Sequence, residues 1–253
     1  MRISAVVISH GHVRELEQSL PALAPQVEEL LVIANVPGSV GELPETARVV
    51  ENPRPLSFAA NANEGFAATS GDAVLLANPD AVPETDAVAL LGGFLAANPR
   101  AGVVGPQMRY PDGTWQPARR RFPTVAGTIV RRTPIRLLYP PFERQKSHYY
   151  LDERPTEPVP TESMLGAFML IRRETIDELG GFDPGYRMYG EDIDFCYRAA
   201  KAGWERWHVP AAVVTHEYAA EIDKRFWTVR NLWHLRAMLR FVRKHPERLK
   251  AVV

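Results

Sequence analysis

Three acidic side chains, Glu191, Asp192 and Asp194, fall within four residues directly after Gly190. A carboxylate in the first turn of a helix either caps open backbone N–H groups or stands at a cleft lip as a general base. The flanks favour the cleft. A buried strand at Ala167 to Ile171, a Gly180–Gly181 turn and an aromatic-rich loop from Phe182 to Gly190 lead into the acids. A further acid, Asp80, closes Asn78-Pro79-Asp80 just past the apolar run Ala73 to Ala77. Beside Asn78, that carboxylate suits a hard divalent cation shared with a phosphate-bearing ligand, because Mg²⁺ needs only one or two protein oxygens when the ligand supplies the rest. The same tripeptide also makes an ordinary turn. His216 ends the apolar run Ala211 to Thr215 at a similar place, where a histidine is either a ligand or a hydrogen-bonded loop residue. His10 and His12 flank Gly11, and with no third ligand nearby they read as a loop lining a cleft.

Alternating strands and helices must position these groups. Ile3 to Ser9 reads as a strand buried on both faces, followed by a helical pattern through Leu16, Leu20 and Leu23. Leu30 to Ala34 and Ala47 to Val50 are two further strands, and Ser57 caps a helix over Phe58 to Thr69 that carries Asn61 and Asn63. A strand at Ala73 to Ala77, a helix at Asp86 to Ala97 and a strand at Val103–Val104 continue the alternation. The pattern predicts an α/β fold with a parallel sheet and a site at its C-terminal strand ends. Between Gln107 and Ser163 prolines are dense, and an irregular insertion over the sheet edge is expected, with partial mobility.

The whole-chain charge is balanced, with 30 basic and 30 acidic residues in 253, which favours no nucleic-acid partner. From Lys224 to Lys250, however, nine Lys/Arg stand against Glu247 alone. At 100° per residue, Trp227, Leu232, Leu235, Met238, Leu239 and Val242 share one face. Arg225, Arg230, Arg236, Arg240, Arg243 and Lys244 take much of the other, among Phe226, Trp233 and Phe241. The apolar stripe is expected to pack on the domain. The basic face, if not merely solvated, makes peripheral contact with a membrane surface. Cys196 is the sole cysteine, which excludes an internal disulfide and fits a reducing compartment. No secretory leader precedes the strand at Ile3, and no apolar run spans a bilayer. A cytoplasmic location, peripheral on the inner face of the membrane, is expected. The absence of G-x-G-x-x-G and of G-x-x-x-x-G-K-[ST] argues against dinucleotide oxidoreductases and P-loop enzymes.

Several segments occur in an informative order: N-P-R-P-L-S-F-A-A-N-A-N-E-G-F, G-D-A-V-L-L-A-N-P-D-A-V, Y-P-D-G-T-W-Q-P-A-R-R-R-F-P, G-A-F-M-L-I-R-R-E, G-G-F-D, M-Y-G-E-D-I-D-F-C-Y-R and K-A-G-W. Together they resemble the family 2 inverting glycosyltransferases of the GT-A (nucleotide-diphospho-sugar transferase) fold, in the rhamnosyltransferase-like branch. The resemblance covers residues 1 to about 220 as one domain, with 107–163 its insertion and 221–253 a basic amphipathic C-terminal helix. It implies a mostly parallel, Rossmann-like sheet flanked by helices. It also implies transfer of a sugar, with rhamnose from dTDP-rhamnose suggested by the branch, from a nucleotide-sugar donor to a hydroxyl of a cell-envelope glycan or lipid-linked acceptor.

Residue by residue, the resemblance makes Asp192 the catalytic base, and the neighbouring acids Glu191 and Asp194 are read as orienting the acceptor or the Asp192 side chain. Asp80 would hold Mg²⁺ or Mn²⁺ against the donor diphosphate, with His216 completing that site. Ser9, His10, Asn35, Asn61, Asn63 and Asn78 would face the nucleotide. One position departs: where the family usually carries Asp-Asn after the second strand, this chain reads Ala34-Asn35, which removes the carboxylate that contacts the nucleobase. Ala34 motivates an alternative, a catalytically degenerate fold kept for binding or assembly. A sugar nucleotidyltransferase is a further alternative, but it needs a glycine-rich basic loop that Ser9-His10-Gly11-His12 does not supply. Arg119-Arg120-Arg121 is either solvated surface or a phosphate clamp. Tyr186 and Tyr189 either stack on acceptor sugar or pack.

Overall fold

The computed structural model describes residues 1–124, 148–217 and 229–249. The chain opens with β1 (Ile3–Ser9), α1 (Val13–Leu23), β2 (Glu29–Ala34), β3 (Ala47–Glu51), α2 (Phe58–Ala68) and β4 (Ala73–Ala77). There follow β5 (Ala81–Pro83), α3 (Ala87–Ala97), β6 (Ala101–Arg109) and the two-residue strands β7 (Trp115–Gln116), β8 (Arg119–Arg120), β9 (Val159–Pro160) and β10 (Ser163–Met164). The last part contains β11 (Phe168–Arg172), α4 (Arg173–Leu179), α5 (Glu191–Lys201), β12 (Glu205–His216) and α6 (Val229–Lys244).

Every residue of β1 and β4 is buried, as their unbroken apolar runs require of central strands covered on both faces. Side chains alternate across the sheet. Ala5 and Val7 join α1 and α3 through Leu16, Leu20 and Leu91, while Val6 and Ile8 join Phe66 of α2, Phe195 of α5 and Phe241 of α6. Each fully buried side chain of this size contributes roughly 1.5–3 kcal/mol. Ser57 caps α2 as its position predicts, its hydroxyl accepting from the Ala60 N–H.

The strand order is β3-β2-β1-β4-β11-β6-β12-β5. Strands β1 to β4, β6 and β12 run the same way. The strictly parallel pattern fails at one central place: β11 runs antiparallel to both β4 and β6. Its reversal brings its N-terminal end, at Gly166–Ala167, to the same edge where the parallel strands finish. Two consecutive arginines fasten β11 below. Arg172 donates to the carbonyls of Leu95, Asn98 and Ala101 around the end of α3, and Arg173 to those of Phe66, Thr69 and Gly71 around the end of α2. Cationic donors on terminal helix carbonyls satisfy orphan acceptors and complement the dipole.

The insertion is less irregular than its prolines imply, since its described flanks are stitched to the sheet. β7 pairs with β6, β9 with β12, and β8 with β10. Its middle, including Pro134, Pro140 and Pro141, lies outside the described residues.

The expected docking face of the C-terminal helix needs correction. Phe241, assigned by periodicity to the basic side, is fully buried with Ala237 and Met238. Leu232, Leu235 and Leu239 instead point outward, 51%, 46% and 47% exposed. Polar anchors decide the orientation. Lys244 and His245 both reach Asp194 of α5, at 2.9 Å each, and this rotates the leucines away from the domain. Arg225, Phe226, Trp227 and the side chain of Arg230 lie outside the described residues.

Candidate active site

The parallel strands β1, β2, β4 and β12 end along one edge, and a cleft of about 1240 Å³ opens there. Crevices at the carboxyl ends of α/β sheets are where such folds bind ligands. Of the ten residues singled out in the sequence, eight line this cleft: His10, Asn35, Asn61, Asn78, Asp80, Glu191, Asp192 and His216. Ser9 and Asn63 do not. The buried Ser9 hydroxyl accepts from the His12 N–H and braces the turn. Asn63 spends its side chain on the Gly–Gly turn, donating to the Phe182 carbonyl and accepting from the Phe182 N–H, each at 2.7 Å. Its placement at the nucleotide is therefore corrected to a clamp behind the acidic helix.

One wall is an asparagine network. Asn35 accepts from the Leu56 N–H and donates to the Leu56 carbonyl, while Asn52 donates to Asn35 Oδ1 at 3.1 Å and to Asn61 Oδ1 at 2.5 Å. Asn52, the first residue of the segment N-P-R-P-L-S-F, follows β3 directly, and the β2–β3 register places it there. Ala34 thus has amide groups beside it where the resemblance implies an acid.

On the floor, the pairing of β5 with β12 sets His216 opposite Ala81 and so beside Asp80. His216 Nε2 lies 3.4 Å from Asp80 Oδ1 and 3.4 Å from Asn78 Nδ2. Its Nδ1 lies 3.0 Å from Gln116 Oε1. With Nδ1 beside the Gln116 carbonyl oxygen, Nε2 is the ring nitrogen turned toward Asp80. A ring nitrogen fixed by a carbonyl-type acceptor is the usual partner arrangement of a metal-binding histidine. Among the described residues no group of three or more His, Cys, Asp or Glu could hold a metal ion. The donor set fits a divalent ion that shares its coordination with a diphosphate. Gln116, from the insertion, stands in the segment Y-P-D-G-T-W-Q-P, but nothing local in the sequence links it to His216.

The opposite side carries the acids. Tyr189 and Gly190 enter α5 with φ of 71° and 87°, and a non-glycine residue at positive φ marks strain of the kind held at functional turns. Asp192 then accepts from the Gly166 N–H at 3.1 Å and from the Ile193 N–H at 2.8 Å. Gly166 allows this approach, because a Cβ there would stand 3.1 Å from Asp192 Cβ. Burial first, and then the Asp192 charge, push the Glu191 carboxyl well above its usual range. Its Oε2 has no hydrogen-bond partner among the described residues. Glu191 is the poorer candidate for an anionic base.

Asp194, fully buried, faces away from the cleft. Burial pushes its carboxyl up, but hydrogen bonds from Lys244, His245 and Arg198 outweigh this and hold it below the ordinary range. Arg198 also donates to the carbonyls of Leu179 and Gly181. Tyr186 is buried and donates to Asp194, so it packs and does not stack on ligand, while Tyr189 and Arg120 line the cleft. The other two arginines of the cluster are structural. Arg119 and Arg121 both pair with Glu153 and sit over the Tyr150 ring at 4.1 and 4.0 Å. Cys196 is buried, and burial pushes its thiol up to about 12, which leaves it inert at neutral pH.

Comparison with known proteins identifies the family and the fold. Residues 28–234 match the family described as "Glycosyltransferase like family 2". The N-acetylglucosaminyl-diphospho-decaprenol L-rhamnosyltransferase of Mycobacterium tuberculosis is 32% identical over 239 residues, which cover 86% of this chain and 76% of that protein. Rhamnosyltransferase WbbL of Escherichia coli is 40% identical over 77 residues, 30% of this chain and 29% of that protein. Among solved structures, GalNAc-T7 with UDP, GalNAc and Mn²⁺ aligns with a TM-score of 0.69 at 19% identity, covering 96% of this chain and 48% of that one. The mannosyltransferase PcManGT from Pyrobaculum calidifontis, in complex with GDP-Man and Mn²⁺, gives 0.62 at 16%, covering 97% and 64%. This chain spans about half of the first of these structures and under two thirds of the second. At such identities they establish the GT-A fold alone. The chain belongs to glycosyltransferase family 2.

Proposed function

We propose that the protein is a metal-dependent, inverting glycosyltransferase that moves rhamnose from dTDP-rhamnose to a sugar hydroxyl on a polyprenyl-diphosphate acceptor. The observation that carries this reading is the cleft itself, in which Asp192 and the Asp80–His216 pair face one space. The family supports sugar transfer, and the named activity of the mycobacterial relative supports this donor sugar and acceptor class.

In the reaction, the acceptor oxygen forms a bond to the anomeric carbon as the bond from that carbon to the diphosphate oxygen breaks. The electron pair leaves with the nucleoside diphosphate. The acceptor proton passes to an Asp192 carboxylate oxygen. A base on the face opposite the leaving group inverts the anomeric centre in one displacement. Backbone N–H groups of Gly166 and Ile193 hold that carboxylate in place, and a positioned base is worth roughly 10²–10⁴-fold in rate. Asp80 and His216 would hold a divalent ion, whose charge stabilises the departing diphosphate. The Asn35–Asn52–Asn61 wall and His10 orient the nucleotide, and Arg120 lies within reach of a phosphate.

The test is rhamnose transfer to a prenyl-diphosphate-linked N-acetylglucosamine, with NMR of the product's anomeric centre. Transfer is expected with Mn²⁺, with inverted configuration, and chelation should remove at least about 10²-fold of the rate. Full activity in chelator would overturn the metal assignment, and retained configuration would overturn the role of Asp192.

A further inference from the structure

The outward edge of α6 is not explained by the cleft. Among the described residues three of the seven exposed large hydrophobic side chains, Leu232, Leu235 and Leu239, line up at i, i+3 and i+7 on this one helix. A contiguous apolar edge on an otherwise well-buried chain marks an interaction surface. Beside it lies a second cavity of about 680 Å³ between α6 and the loop from Asp183 to Arg187. Arg187, Arg236, Arg240, Arg243 and Lys244 line it, with Asp183 the single acid. Asp183 is already consumed, since Arg240 and Lys244 pair with it at 2.8 Å each. Arg187, stacked over Trp233 at 4.8 Å, Arg236 and Arg243 carry no ion pair among the described residues. The cavity therefore presents uncompensated positive charge next to exposed leucine.

We propose that this surface docks on an anionic bilayer, with lipid phosphate headgroups in the cation-lined cavity and the leucine edge in the acyl boundary. Apolar side chains and cations on one helix are the two features that interfacial helices combine. A protein partner of matching shape would satisfy the leucines, but charge complementarity with a uniformly anionic surface favours lipid. The cavity and the cleft share Arg187 and Trp233, so the docked surface adjoins the site. On the reading above, an acceptor anchored in the same bilayer would reach Asp192 without leaving the membrane. No helix among the described residues is long and apolar enough to cross a membrane, and surface docking does not need one.

The experiment is flotation of the full chain with vesicles of mixed phosphatidylglycerol and phosphatidylcholine, against phosphatidylcholine alone. Binding to the anionic vesicles at low salt is expected, about tenfold weaker on neutral vesicles and reduced by added salt. The double variant Leu232→Gln/Leu235→Gln, which alters exposed side chains only, should lose about tenfold of that binding. Arg236→Gln/Arg243→Gln should lose most of the salt dependence. Failure of the unaltered protein to bind anionic vesicles, or full binding by the leucine variant, would overturn the proposal. Nucleotide-dependent thermal stabilisation, read on the same samples, separates the two claims. Vesicle binding without nucleotide binding would count against the transferase reading alone, and the converse pattern against membrane docking alone.

Discussion

Replacing Asp192 with asparagine is expected to lower kcat for sugar transfer by about 10²–10⁴-fold, with the donor KM nearly unchanged. The amide cannot take the acceptor proton, yet it is isosteric and keeps an oxygen for one of the two N–H groups that hold Asp192, from Gly166 and Ile193. Losing the other bond costs on the order of 1 kcal/mol, too little to unfold the domain. Glu191 does not rescue the variant, because burial keeps its carboxyl protonated to higher pH and its Oε2 is enclosed. A drop in kcat with an intact melting temperature supports the base assignment. Near-normal turnover would remove it.

The Asp194→Asn variant should show the largest loss of stability, about 3 kcal/mol at neutral pH, because it leaves four donors around a buried position without their anion, Tyr186 among them. Arg198, Lys244 and His245 converge on this carboxylate within 2.8–2.9 Å. For a domain of this size the melting temperature should fall by roughly 6–12 °C. The pH dependence has a definite sign. The folded-state pKa of Asp194 is depressed, so its stabilisation is fully present above the unfolded carboxyl value near pH 4 and is lost as pH falls through the folded value. The difference between the two proteins should therefore be constant from about pH 5 to 7 and narrow below about pH 4. Equal melting temperatures at pH 7 would show that α6 is not held to α5 through this residue.

Elements defined by local chemistry were legible in the sequence. The runs Ile3–Ser9 and Ala73–Ala77 form strands with those bounds, and Ser57 starts α2. These depend on unbroken apolar residues and a capping hydroxyl, both local properties. The GT-A fold and most of the cleft were legible through the ordered motifs. What the sequence hides depends on partners distant along the chain. The reversal of β11 is set by pairing with β4 and β6, which no run of five apolar residues encodes. For the C-terminal helix, periodicity puts Met238 with the leucines and Phe241 among the basic residues, whereas Met238 and Phe241 are buried together. The rotation is set by Asp194, about 50 residues upstream. Asn63 has the residue type of a ligand-facing amide, but the turn at Phe182 claims it. Gln116 and Asn52 stand in motif segments, but their support of His216 and Asn35 runs through tertiary contacts that no local pattern encodes.

The most direct test of a nucleotide-sugar site built on Asp80 and His216 is thermal stability against UDP, dTDP, GDP and ADP, each with and without Mn²⁺. One nucleotide, expected to be dTDP, should stabilise the protein only with metal, by roughly 2.7 kcal/mol at about 100 times its dissociation constant. The Asp80→Asn variant should lose that metal-dependent gain. No stabilisation by any nucleotide, or an undiminished gain in Asp80→Asn, would contradict the site described here.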